Sequence, residues 1–310
     1  MQEKKNKQLI ALFVVLIAAT VSVYWLGRDQ DNFAVDKELF RSYDLKSVSE
    51  VVLESPGEKL SLKFNGTRWM VNGRFDADAN LVEVLFATLK QAEPKRPLAG
   101  TQQDSIADVL RKTGVKVSLF SGADLVKTFY AGGNSEKTQA YFLDDIKPVP
   151  YLMAIPGYRV YVSGIFELPE QGWRDKLVFG FNWRNFQSLE VHFPKKPTED
   201  FRVAMDNNFF GIQGMEMADT TKLNDFLDNV SLLTVDEFAE STPALDSLSK
   251  TPAFISFLIK DISQKDYTLQ LFLPPKKGQP IPGLINGSQW ALFQQKQING
   301  IVQPRRFFGK

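Results

Sequence analysis

Lys112-Thr113-Gly114-Val115-Lys116-Val117-Ser118-Leu119 returns 138 residues later as Lys250-Thr251-Pro252-Ala253-Phe254-Ile255-Ser256-Phe257. In both copies a polar start gives way to apolar–polar alternation, the period of a half-buried strand. The same offset separates Pro56 from Pro194, and each follows a strand-like run, 50–55 and 188–193. Gln139-Ala140-Tyr141-Phe142-Leu143 is echoed less strictly by Gln289-Trp290-Ala291-Leu292-Phe293. A fixed offset at separated points predicts a duplicated domain: two tandem α+β lobes, each a mostly antiparallel sheet packed with helices.

Working outward from the repeat, 47–53 and 59–64 alternate as strands, with Pro56-Gly57 as the turn between them. Asn65-Gly66 is a hairpin signal, since both residues tolerate positive φ. Trp69 to Val71 is the return strand, and Asn72-Gly73 turns again. Asp78 is placed to cap a helix that carries Leu81, Val84, Leu85 and Leu89 on one face. A second helix covers 104–112, with Gly114 as its C′ residue. Strands follow at 115–120, 125–130, 140–143 and 151–155. The second lobe repeats the order, with strands at 188–193, 200–204 and 209–212. Its helix starts at Asp219 and carries Leu223, Phe226, Leu227, Val230 and Leu233. Lobe boundaries fall at 45–168 and 183–310. The inter-lobe junction, 169–182, holds Trp173, Arg174 and Asp175, which read either as a docking point or as a Trp packed between the lobes with Arg174 or Asp175 in an ion pair.

Residues 9–27 form an uncharged apolar run of about nineteen residues, which as a helix spans about 28 Å, close to the hydrocarbon thickness of a bilayer. Lys4, Lys5 and Lys7 precede it, so residues 1–28 read as a cytoplasmic stub and single-pass inner-membrane anchor, with 29–44 as a linker and the bulk of the chain periplasmic. A cleaved signal peptide is the alternative; against it, 21–26 continue the apolar run past Ala18-Ala19.

Among 310 residues, 24 % are charged and the net charge is +1, which gives no support for nucleic acid as a partner. The 44 % apolar fraction, with 25 Phe, predicts a well-buried core. Without cysteine there are no disulfides, thiol nucleophiles or thiolate metal sites.

Trp69-Met70-Val71-Asn72-Gly73, Thr113-Gly114-Val115-Lys116-Val117, Ile155-Pro156-Gly157-Tyr158-Arg159-Val160-Tyr161 and Trp173-Arg174-Asp175-Lys176, together with the Lys-flanked anchor, resemble the bacterial envelope proteins catalogued as domain of unknown function 4340, in their Bacteroidota-type form. The resemblance covers most of residues 1–240. It implies a membrane-anchored protein with a repeated extracytoplasmic domain, in some relatives encoded beside ABC transport components. It carries over no catalytic or ligand residue.

The residues themselves offer little chemistry. A Ser-His-Asp triad would have to use His192, the one histidine, in a strand-like run. One His and no Cys leave no His/Cys metal cluster. Asp144-Asp145 reads as a solvated turn, and Glu167 with Glu170 is a second acidic pair. Gly132-Gly133-Asn134 lacks the ending of a phosphate loop. Asp206-Asn207-Asn208 lacks the alternating acids of a calcium loop and reads as a hairpin turn. No catalytic, cofactor or metal residue is assigned. The expected function is a non-enzymatic, anchored binding or scaffold subunit of an envelope or transporter complex. The alternatives are a receptor for a small envelope ligand seated between the lobes near Trp173 and a cell-wall glycan hydrolase using Glu167 or Asp175. The tail from Pro304 to Lys310 is basic and aromatic, a composition shared by interfaces and packed chain ends.

Overall fold

The computed structural model describes residues 13–22, 35–41, 44–98, 100–181, 183–206, 209–263, 265–274, 276 and 278–309. The fold is α+β, with two antiparallel sheets and seven helices, apart from short 3-10 turns, among the described residues. Helix α1 covers 13–22; the rest of the apolar run, 9–12 and 23–27, lies outside the described residues. Among the described residues no helix is long and apolar enough to cross a membrane.

The first sheet contains β1 (Glu50–Ser55), β2 (Glu58–Phe64), β3 (Trp69–Val71), β4 (Phe75–Asp76), β5 (Glu93–Pro97), β6 (Val115–Ser121), β7 (Asp124–Gly133), β8 (Ala140–Asp144) and β9 (Pro150–Ala154). Its spatial order is β4-β3-β2-β1-β6-β7-β8-β9-β5. Helix α2 (Ala79–Gln91) follows β4, and α3 (Thr101–Thr113) precedes β6. The second sheet contains β10 (Phe186–His192), β11 (Phe201–Asp206), β12 (Phe209–Ile212), β13 (Glu237–Ala239), β14 (Ile255–Asp261), β15 (Asp266–Leu271), β16 (Ile281–Ile285) and β17 (Gln289–Phe293). Its order is β12-β11-β10-β14-β15-β16-β17-β13. With β10, β11 and β12 read as β1, β2 and β3, β13 as β5, and β14 to β17 as β6 to β9, the two orders coincide, save that β4 has no counterpart. Helix α5 (Thr220–Ser231) stands where α2 stands in chain order, and α6 (Pro243–Ser249) where α3 does. Helices α4 (Glu170–Trp173) and α7 (Gln295–Ile301) complete the set.

The chain divides into two compact units: 1–61 with 83–167, and 62–82 with 168–310. The division passes through β2, so β3 and β4 belong to the second unit, as do residues 169–182.

Turn chemistry sets the hairpins. Asn72 and Gly73 have φ of 50° and 66°, the left-handed pair that a tight I′ turn requires between β3 and β4. At Asn65-Gly66 only Gly66 is left-handed; the Asn65 side chain instead accepts from the Thr67 and Arg68 backbone N–H groups at 3.0 Å each. Asp78 caps α2 by accepting from the N–H groups of Asn80 and Leu81. The buried face of α2 is Val82, Leu85 and Leu89, while Val84 is 48 % exposed. Adjacent helical positions differ by about 100°, so burying Leu85 turns Val84 to solvent. Asp219 caps α5 in the same way, and Leu223, Phe226, Leu227 and Val230 are buried as the spacing predicts.

Gly114 ends α3, but not in the left-handed conformation expected of a C′ glycine: its φ is −73°. Glycine is needed for space, since a Cβ there would lie 2.5 Å from the Leu110 carbonyl oxygen.

Phenylalanine supplies both cores. In the first unit Phe40, Phe129, Phe142 and Phe166 are buried and meet edge-to-face or stacked, with centroids 4.9–5.8 Å apart. In the second, Phe201, Phe226 and Phe308 form a mutual edge-to-face triangle. The aromatic tail is therefore a packed end: Phe308 is fully buried, the Phe308 carbonyl accepts from the Asp219 N–H, and Arg306 pairs with Glu199.

Candidate functional site

Residues 173–175 run antiparallel to 76–78 inside the second unit. The Asp78 N–H donates to the Trp173 carbonyl and the Asp175 N–H to the Asp76 carbonyl, each at 2.8 Å, around an Ala77–Arg174 bridge. The pairing sets the three side chains. Trp173 is fully buried and its indole N–H has no hydrogen-bond partner. Arg174 is 7 % exposed. Its guanidinium lies 3.6 Å from the centre of the Phe75 ring and 3.7 Å from that of Phe238, so both flat faces are covered by aromatic faces. Only its edge remains for hydrogen bonding. There Nη2 donates to Gln289 Oε1 at 3.1 Å, and Nε is buried with no partner. The Gln289 amide is oriented from behind, its Nε2 donating to the carbonyls of Trp290 and Ala239. Trp173 is packed inside the second unit, and neither Arg174 nor Asp175 has the expected ion pair among the described residues: burial between two rings takes its place at Arg174.

Arg174 and Asp175 line a cleft of about 320 Å³, all of whose walls belong to the second unit. Basic side chains come from Arg68, Arg74, Arg174 and Lys265, carboxylates from Asp76 and Asp175, and neutral polar groups from Asn286, Ser288 and Gln289. Asp76 pairs with Arg68. Arg74 is exposed and has no ion pair among the described residues. Burial pushes the Arg174 guanidinium below its ordinary range; Glu170 opposes this and Arg74, a like charge, adds to it. Burial likewise pushes the Asp175 carboxyl above its ordinary range. The Leu177 N–H opposes that shift, and Asp78 and Asp76 add to it. The cleft can hold an anion and hydrogen-bond neutral hydroxyls beside it.

The other candidates are engaged elsewhere. Glu167 lines a separate pocket of about 270 Å³ in the first unit. It accepts a hydrogen bond from the Tyr161 hydroxyl and pairs with Lys137 at 3.0 Å. Burial and Glu167 together raise the Tyr161 phenol above its ordinary range. Gly133 is explained here: a Cβ would sit 2.4 Å from the Tyr161 ring. Asn134 closes the loop through the Thr138 and Gln139 N–H groups. Glu170 accepts from Asn72 at 2.6 Å. Asp144 is buried rather than solvated, its Oδ1 taking the N–H groups of Ile146 and Lys147, while Asp145 pairs with Lys116. His192 meets Asp200 through Nδ1 and makes no second hydrogen bond among the described residues. Asp206 ends β11 and Phe209 starts β12, while Asn207 and Asn208 lie outside the described residues. No group of three or more His, Cys, Asp or Glu that could hold a metal occurs among the described residues.

Sequence reasoning missed Arg74, Phe75, Phe238, Lys265 and Gln289. Arg74-Phe75-Asp76 directly after the Asn72-Gly73 turn was a local signal; nothing local ties Phe238 or Gln289 to Arg174. Comparison with family models, curated proteins and solved structures finds no match.

Proposed function

We propose that the chain is a non-enzymatic, membrane-anchored periplasmic binding or scaffold subunit of an envelope complex, built from two tandem copies of one α+β lobe. The shared strand order of the two sheets supports the duplication, and the resemblance noted above supports the envelope setting. Anchoring is supported by α1: Phe13, Val14, Val15, Leu16 and Ile17 are consecutive, so they cover every side of a turn, and each is 48–64 % exposed. Such a surface needs lipid or protein around it.

The observation that carries the scaffold role is β12. Among the described residues it pairs on one side only, with β11, and Phe209 at its start is 78 % exposed. An unpaired edge with an apolar side chain can accept a partner strand. The test is purification in mild detergent from the native host, comparing wild type with Phe209→Lys. A partner held by this edge is lost from the variant; one retained in full sinks the edge as the docking surface. An export-dependent reporter fused after Lys310 should be active, and activity of a cytoplasm-only reporter there would overturn the topology.

The cleft at Arg174 favours a second reading, a receptor for a small envelope ligand. A receptor needs a recess with convergent polar groups, which a pure scaffold does not.

A further inference from the structure

We propose that the Arg174 cleft binds a phosphomonoester carried on a hydroxylated framework, such as a sugar phosphate. The inference rests on the receptor reading and names its ligand class. Three features of the cleft carry it.

The first is Arg174 itself. The rings of Phe75 and Phe238 cover both faces of its guanidinium. Gln289 takes one N–H, and Nε is left buried without an acceptor. A guanidinium fixed in this way presents its edge alone, and an edge of parallel N–H groups is the complement of a bidentate oxyanion. An orphaned N–H on a nine-tenths buried charged side chain costs free energy that a bound oxyanion, with a small adjustment of the edge, would recover.

The second is charge. The whole chain carries a net charge of +1, yet this one cleft gathers four basic side chains against two carboxylates. Arg74 lies over the Phe75 ring at 5.1 Å, has no ion pair among the described residues, and is close enough to disfavour the Arg174 charge. Glu170 offsets this repulsion at Arg174 from one side, and an anion lying between the two guanidiniums in the recess would relieve it at both. The excess of two positive charges matches a phosphomonoester, which carries about −1.5 to −2 near neutral pH, better than a singly charged carboxylate.

The third is the remainder of the wall. Asp76 and Asp175 accept hydrogen bonds, while Asn286 and Ser288 offer both donors and acceptors. The Tyr267 ring adds an apolar surface, and Lys265 lies 4.6 Å from its centre. Such acceptors have no use for phosphate oxygens but suit the hydroxyls of a polyol. The volume, about 320 Å³, is at the small end of ligand sites and suits one sugar ring with its phosphate.

The phosphomonoester could be soluble or displayed on a lipid headgroup. The full chain in detergent or nanodiscs should be titrated with glucose 1-phosphate, glucose, glucuronate and inorganic phosphate, and mixed with phosphatidylcholine vesicles carrying phosphatidylinositol 4-phosphate. Two variants accompany it. Arg74→Gln is on the surface and leaves the fold alone. Arg174→Met fills the space between the two rings with an apolar chain of similar length, so that a folded protein can be tested. Saturable binding of glucose 1-phosphate, or of the phosphoinositide vesicles, that weakens about tenfold or more in each variant supports the proposal, and whichever probe binds identifies the source. Binding of glucose as tight as glucose 1-phosphate, or binding unchanged in both variants, overturns it. Arg74-dependent binding of glucuronate without binding of either phosphate probe overturns the phosphate class but leaves the receptor reading standing. No saturable binding of any probe overturns the proposal and counts against the receptor reading.

Discussion

Asp76 and Asp175 are joined back to back: the Asp175 N–H donates to the Asp76 carbonyl at 2.8 Å, and both side chains reach the same cleft. Their surroundings differ. Asp76 is neutralised by Arg68, whereas Asp175 has no ion pair among the described residues and its carboxyl is raised, chiefly by burial. A raised carboxyl means that the folded chain binds this proton more tightly than the unfolded chain does. Its contribution therefore favours folding below the ordinary carboxylate range, and is lost as pH rises through the window up to the raised folded value. Asp175→Asn removes that dependence. The variant should melt higher than wild type at pH 7, with the difference shrinking towards pH 4. Parallel pH profiles for the two proteins would show that Asp175 carries no such penalty.

Leu85 and Leu223 sit at the centres of the buried faces of α2 and α5, 0 % and 1 % exposed. They are separated by the repeat offset of 138 residues. If the lobes are copies, the two positions perform one task. Leu85→Ala and Leu223→Ala should each cost about 2–5 kcal/mol in chemical denaturation, the range for a truncated core leucine. A large loss at one site with a negligible loss at the other would argue against equivalence.

Both leucines were legible in the sequence because helical period and an acidic cap are local signals. Many strands of the two sheets were legible for the same reason, most sharply Trp69–Val71 and Phe209–Ile212, but β4, β5, β13 and β16 were not: Phe75–Asp76 and Glu237–Ala239 are too short to show alternation, and Glu93–Pro97 and Ile281–Ile285 carry prolines that read as breaks. Val84 was misplaced because an apolar residue one step from the buried face looks the same in a window of sequence. The cleft was only partly legible. Trp173-Arg174-Asp175 stood out by composition, but Phe75, Phe238 and Gln289 come from three other elements. Phe238 and Gln289 meet through the pairing of β13 with β17, and Phe75 meets Arg174 beside the isolated Ala77–Arg174 bridge, and no spacing in the chain encodes either.

Gly114 allows a test of close approach as against left-handed strain. Its φ of −73° suits any residue, so backbone preference alone predicts that alanine is tolerated. The Leu110 carbonyl oxygen 2.5 Å from the Cβ position predicts the opposite. Gly114→Ala should destabilise by about 1–3 kcal/mol, as overpacking does. Gly180→Ala is the control, because nothing lies within 4 Å of its Cβ position and its φ is not left-handed. It should be neutral or slightly stabilising. Equal behaviour of the two variants would refute the packing explanation.

Glu167 separates the binding reading from the glycan-hydrolase alternative. A hydrolytic acid needs a second carboxylate across its pocket and a proton to give. Glu167 instead receives the Tyr161 hydroxyl and holds Lys137 at 3.0 Å, which is the arrangement of a structural acceptor. Replacing it with glutamine removes the negative charge that helps to hold the phenol protonated, while the burial of the ring remains. In Glu167→Gln the Tyr161 phenol should therefore titrate lower than in wild type but still above an ordinary tyrosine. Ultraviolet difference titration of the two proteins reads this directly as one of the eight tyrosines. Neither protein should turn over peptidoglycan fragments. Turnover by wild type that disappears in Glu167→Gln would replace the structural role with a catalytic one.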